Sequence, residues 1–265
     1  MTRILTAIVL IAAVVGLILW GHPYLLAAIA IATAELAVWE FFRLAEARGS
    51  AVLRIPGYVF TAAIVAAGIA RNLSLCLLGA VVFFLMVLLT VRLFSGQELS
   101  SYFGAVSSTF LGVLYASVPL SLLIWVCLQP GGRPLALFGL VLVWTGDTMA
   151  FFVGSTVGRH KLAPRISPGK TWEGTAASLA SAIAAAMLLA RFLLRGTGYG
   201  EAAILAATVN VAAQIGDLAE SALKRSAGVK DSSQLVPGHG GVLDRIDALL
   251  FAAPVLWYYW LWKWS

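Results

Sequence analysis

Charge is scarce in this chain: only 11% of its 265 residues are Asp, Glu, Lys or Arg, against roughly 25% in ordinary soluble domains. With 61% hydrophobic residues and a mean hydropathy of +0.93, the chain cannot bury its apolar surface and still present a charged exterior. That excludes a soluble enzyme and a disordered chain. Cysteine is nearly absent as well. Cys76 and Cys127 both sit inside apolar runs, so neither a disulfide framework nor a thiolate metal site is indicated. The net charge of +6 does not call for nucleic acid, because membrane proteins keep excess Lys and Arg in their loops for topological reasons.

What the chain has in abundance is long apolar runs. Crossing a bilayer takes roughly 20 apolar residues, with about 17–25 tolerated. Nine segments meet that measure: about 4–20, 24–42, 56–70, 73–91, 104–128, 134–153, 175–194, 200–216 and 246–262. The first re-enters apolar sequence straight after Gly21-His22-Pro23, unlike a cleaved secretory signal, and is read as a retained helix. The expectation is an all-α polytopic membrane protein of about nine transmembrane helices. Residues 1–130 would supply five spans, and residues 131–265 four more that carry the chemistry, in one integral membrane unit. Thr208, Asn210 and Gln214 make the eighth span the least apolar and should face other helices or a cavity.

The N-terminus and the connections after spans two, four, six and eight hold thirteen of the eighteen Lys and Arg. The other side holds Arg71, Arg133, Arg191, Arg195 and Lys263. The positive-inside rule then puts the N-terminus in the cytoplasm, the C-terminus outside, and both long polar connections, 154–174 and 217–245, on the cytoplasmic face of the cell membrane.

The stretch 216–247 carries five of the twelve carboxylates: Asp217, Glu220, Asp231, Asp244 and Asp247. Asp217, Glu220, Ser221 and Lys224 follow the i, i+3, i+4, i+7 spacing of one helix face, continuing the eighth span. Asp244 and Asp247 share a face at the start of the ninth, where a helix N-terminus favours carboxylates. Two acidic helix ends could converge on one divalent cation, and magnesium suits carboxylates, waters and substrate phosphates. Between them, Gly238, Gly240 and Gly241 around His239 let backbone N–H groups approach an anion. Lys224, Arg225, Lys230 and Arg245 surround that turn. The pattern suits a metal-bound polyphosphate; a solvated loop with scattered ion pairs is the plainer reading.

Ser167, Lys170 and Glu173 repeat the theme before the seventh span, without Walker spacing. Glu173 could instead be a capping partner of Lys170 or Thr171. Asp147 lies inside the sixth span, where an ionisable residue is a functional candidate by default. Glu35 is a similar anomaly in a weaker context. The Trp residues near helix ends read as an aromatic belt.

The run 221–247, SALKRSAGVKDSSQLVPGHGGVLDRID, closely resembles the signature of phosphatidate cytidylyltransferases, also called CDP-diacylglycerol synthases. Asp147-Thr148 and the run 161–174, KLAPRISPGKTWEG, resemble that family too. Met149 departs from it, since a small residue usually follows that Asp-Thr pair. The resemblance covers the second half of the chain; the first five helices match by hydropathy and length alone.

The resemblance implies that CTP and phosphatidate give CDP-diacylglycerol and pyrophosphate, with magnesium and a second cation such as potassium. A homodimer is implied by the resemblance only. The roles that follow give Asp217, Asp244 and Asp247 the magnesium. Lys224, Arg225, Lys230 and Arg245 would meet the triphosphate or lipid phosphate, and His239, Gly240 and Gly241 would shape the phosphate cradle. Ser167, Lys170, Ser221 and Asp147 would complete substrate binding. A polyprenol- or phytol-kinase-like enzyme and an ion transporter are the rival readings, and the residues around His239 favour cytidylyl transfer.

Overall fold

The structure, a computed structural model, describes residues 2–235 and 240–264. Among them the chain forms nine α-helices: α1 (Thr2–Trp20), α2 (Pro23–Ala47), α3 (Arg54–Ala66), α4 (Leu73–Leu93), α5 (Tyr102–Leu128), α6 (Gly132–Thr156), α7 (Trp172–Leu193), α8 (Tyr199–Ser226) and α9 (Leu243–Trp264). Each apolar segment of the sequence is one of these helices. Among the described residues, six helical segments are long and apolar enough to cross a membrane: α2, α4, α5 with the 3-10 turn before it, α6, α7 and α8. An all-α membrane protein is the result, with one addition that hydropathy did not indicate. The connection after α6 is a small antiparallel hairpin, β1 (Lys161–Ala163) and β2 (Ser167–Thr171), with Lys161 opposite Thr171 and Ala163 opposite Ser167.

The helices group into two compact units that interleave in sequence. The first comprises Met1–Trp20, Val126–Ala222 and Ile246–Ser265; the second comprises Gly21–Trp125 and Leu223–Arg245. The signature run 221–247, placed by hydropathy with the C-terminal helices, therefore groups largely with α2–α5.

In the first unit α7 buries Gly174, Ser178, Ala182, Ala186 and Ala190, one residue per turn, and packs along α6. Small side chains at such a seam let membrane helices approach closely. At Gly146 of α6 the neighbouring side chains leave no room for a Cβ. A Cβ there would strike the Asn210 side-chain amide and lie 2.7 Å from Ser178 Oγ. Asn210 Nδ2 donates to Ser178 Oγ at 2.8 Å, and Gln214 Nε2 donates to Asn210 Oδ1 at 2.6 Å. Asn210 and Gln214 thus face neighbouring helices as their polarity requires. Thr208 is exposed, donates back to Ile204 O within its own helix and lines a cavity with Val255 and Tyr258 of α9.

The hairpin is fastened to the start of α7. Thr171 caps that helix by accepting from Gly174 N at 3.1 Å. Glu173 reaches neither Lys170 nor Thr171 as a capping partner. It accepts from His160 N and contacts His160 Nδ1 at 2.6 Å, closing the hairpin's base.

In the second unit Phe42, Ile64, Phe84 and Leu88 are fully buried, and the Phe84 ring stacks with Phe60 and Phe110. Thr109 Oγ1 of α5 accepts from Leu53 N at 2.9 Å and fixes the start of α3. α4 turns Leu75, Leu78, Phe83 and Leu93 outward, an apolar face suited to lipid.

Gly146→Ala should force the Asn210–Ser178 hydrogen bond apart and destabilise the protein by about 1–3 kcal/mol, read as a lower thermal midpoint in detergent. An unchanged midpoint would show that this crossing has room to spare.

Candidate active site

One charged cluster in the first unit gathers residues of the motifs. Lys170 Nζ at the end of β2 lies 2.6 Å from Asp217 Oδ2 on α8. The Asp217 side chain is 38% exposed, while the Lys170 side chain is 23% exposed with its Nζ buried. Ser221, one turn on, donates to Asp217 Oδ1 at 3.5 Å, a long contact that leaves this oxygen weakly engaged. Asp147 on α6 lies within electrostatic reach of both Asp217 and Lys170. Two carboxylates against one lysine leave the cluster one positive charge short.

The second unit holds the other cluster, built on the signature loop. Lys224 Nζ contacts Asp244 Oδ1 at 2.5 Å, with the two side chains only 13% and 8% exposed. Asp244 Oδ2 accepts from Ser232 N at 3.1 Å and Gly241 N at 2.8 Å, and lies 2.9 Å from Ser232 Oγ. Asp244 is therefore the hub that folds the loop back onto the start of α9. Beneath it sits Glu40 of α2, fully buried. Its Oε1 accepts from Ser233 Oγ at 2.5 Å and Val242 N at 2.9 Å; its Oε2 accepts from Ser232 Oγ at 2.9 Å and Leu243 N at 2.7 Å. Gly241 is the residue that permits this closeness, because a Cβ there would collide with Ser232 Oγ and lie about 2.5 Å from the Glu40 oxygens.

The model of the cytidylyltransferase family matches residues 1–262. The chain belongs to that family. Among similar proteins, the phosphatidate cytidylyltransferase of Brucella abortus biovar 1 (strain 9-941) is 37% identical over 262 residues, covering 97% of this chain and 91% of the relative. That of Haemophilus influenzae is 35% identical over 283 residues, covering 97% of each. That of Pseudomonas aeruginosa is 37% identical over 260 residues, covering 96% of this chain and 94% of the relative. The likeness thus reaches through α1–α5, where the sequence motifs offered nothing.

On this cytidylyltransferase chain the expected site residues fall as follows. Lys170, Asp217, Ser221 and Asp147 are brought together, and Lys224, Asp244 and Gly241 are brought together. Gly240 takes a left-handed backbone, φ +77°, at the loop's return. The Gly241 N–H, expected to meet a phosphate, turns inward to Asp244. Arg225 donates to Val229 O at 3.1 Å and, like Lys230 and Arg245, is exposed. Asp247 is buried on α9, its carbonyl packed over Gly216 of α8. Ser167 is half-buried at the start of β2. His239 lies outside the described residues.

Glu40, Ser232 and Ser233 were not singled out from sequence. The available signal was a carboxylate in the apolar context Val38-Trp39-Glu40-Phe41-Phe42. Among the described residues no three Asp, Glu, His or Cys side chains gather as a metal cage. Magnesium needs none, since it is commonly held by one or two carboxylates together with phosphates and water. Asp217, with a weakly engaged oxygen and Asp147 nearby, fits that requirement. Both oxygens of Asp244 already have partners.

Lys224→Met should strand the Asp244 charge and destabilise by on the order of 3 kcal/mol. Adding Asp244→Asn should recover part of that loss. Strictly additive changes in the thermal midpoint would show that the two side chains are not coupled.

Proposed function

We propose that this chain transfers the cytidylyl group of CTP to phosphatidate, giving CDP-diacylglycerol and pyrophosphate for phospholipid synthesis. The observation that carries the reading is the chain-long likeness to phosphatidate cytidylyltransferases. A phosphate oxygen of phosphatidate attacks the α-phosphorus of CTP. The bond from that phosphorus to the bridging oxygen breaks, and pyrophosphate leaves with the electron pair. A phosphate monoester has its second pKa near 6, so the nucleophile needs no strong base to ionise it. The difficulty is charge, because both reactants are anions. Positive groups placed around them do most of the work.

In this reading Lys170 and Lys224 are the principal cations, each held in place by a carboxylate until a phosphate takes its place. Arg225, Lys230 and Arg245, all exposed, draw the anionic substrates to the loop. Ser167, His239 and Gly240 complete the nucleotide's surroundings. Asp217, supported by Asp147, would hold magnesium carried with the triphosphate, and Asp244 and Asp247 are assigned to the same ion by the motif. Bound there, magnesium would neutralise phosphoryl oxygens as a Lewis acid. A second cation such as potassium and a homodimer belong to the same proposal.

The membrane arrangement proposed is nine crossings of the inner membrane, with the N-terminus and both polar connections in the cytoplasm and the C-terminus outside. CTP is then available at the face that carries thirteen of the eighteen Lys and Arg.

Detergent-purified protein should release pyrophosphate only when CTP, phosphatidate and magnesium are all present. Release with a long-chain alcohol in place of phosphatidate, or none at all from folded protein, would overturn the reading. Asp217→Asn should lower kcat by on the order of 100-fold or more while eluting as folded protein. Full activity in that variant would remove Asp217 from the metal's ligands.

A further inference from the structure

We propose that Glu40 is a positioning residue for the transfer reaction: its buried carboxylate holds Ser232, Ser233, Val242 and Leu243 in the arrangement that presents Asp244 and Lys224. The inference rests on the transferase reading above. It concerns a residue outside every motif that led there.

The geometry argues for a carboxylate and no other group. Each Glu40 oxygen accepts one serine hydroxyl and one backbone N–H, and all four donors belong to the loop or the first residue of α9. A hydroxyl can rotate to accept, but a backbone N–H cannot. Replacing either oxygen by an amide NH2 would set a donor against the N–H of Val242 or Leu243. Alanine would leave all four groups without their acceptor in a site closed to water. The N–H groups at the start of α9 also place the positive end of its dipole against the charge.

Glu40 is also joined to Asp244 through a single group. The Ser232 hydroxyl lies 2.9 Å from Glu40 Oε2 and 2.9 Å from Asp244 Oδ2, and it has one proton to give. Ser232 N and Gly241 N fix Asp244 from the other side. Lys224 takes the remaining Asp244 oxygen. The chain of contacts therefore runs from Glu40 through Ser232 to Asp244 and Lys224. Loosening these residues would release Asp244, assigned to the metal, and Lys224, assigned to phosphate, without touching their own side chains.

The full-length E40Q and E40A proteins test this in detergent, well below their thermal midpoints. Pyrophosphate release gives kcat and KM, and hydrogen exchange reports the amides of 232–243 against those of α6–α8. The expected result is folded E40Q with unchanged exchange in α6–α8, faster exchange in 232–243 and kcat down about 10–100-fold. KM for CTP and phosphatidate should move less, and E40A should exceed E40Q in both effects. Wild-type kcat in E40Q overturns the proposal, whether or not the loop exchanges faster, because the loop's hold is then dispensable. A lost kcat with unchanged loop exchange overturns it too. If E40Q does not fold, Ser233→Ala removes one donor from Oε1; smaller changes of the same two kinds are expected, and none would overturn the proposal. An inactive wild-type chain would sink the transferase reading instead, and loop exchange alone would then decide whether Glu40 holds the loop.

Discussion

Hydrocarbon offers no hydrogen bonds, so a polar group carried into a membrane span must meet its partner within the protein. Many of the helices' polar groups follow this rule, although Ser121 Oγ and Trp257 Nε1 are buried with no hydrogen-bond partner among the described residues. Isolated hydroxyls turn back onto their own helix, as Thr33 does to Ile29 O, Thr61 to Gly57 O and Thr148 to Trp144 O. Amides need more than a single helix can give, and Asn210 and Gln214 draw α6, α7 and α8 together around Gly146. A buried carboxylate asks most of all. Glu40 obtains four donors only because the hydroxyls of Ser232 and Ser233 and the N–H groups of Val242 and Leu243 all come to it.

The same rule shapes the charged residues. Asp217 with Lys170, and Asp244 with Lys224, are opposite charges held at contact distance. Such pairs add little net stability once desolvation is counted. In the proposed reaction a phosphate would offer the lysine of a pair a new partner, and a divalent cation would offer one to its carboxylate, so that neither charge is left bare.

The helices were legible because apolar length is a one-dimensional measure, and all nine segments survive as helices with only their ends moved. The extension of α8 past its span was legible in the spacing of Asp217, Glu220, Ser221 and Lys224. The hairpin was not, because strands of three and five residues broken by Pro168 and Gly169 carry no period. His160 was likewise invisible as the partner of Glu173. The interleaving of the two units escaped the sequence as well, since it depends on which distant helices pair. In the candidate site the motif residues were legible by type and spacing, but their partners were not. Lys170 for Asp217 and Glu40 for the loop are long-range choices that no local pattern encodes.

The bond from Ser232 to Glu40 joins residues 192 apart in the chain. At a synthesis rate of ~5–20 residues per second, α2 precedes its four donors by roughly 10–40 s. During that interval its carboxylate sits among apolar helices without the groups that later surround it, an expensive arrangement in a bilayer. All four of its donors come from the last part of the chain to be made. The second unit is completed from its far end, when the last loop and the start of α9 arrive to close over a residue made near the beginning.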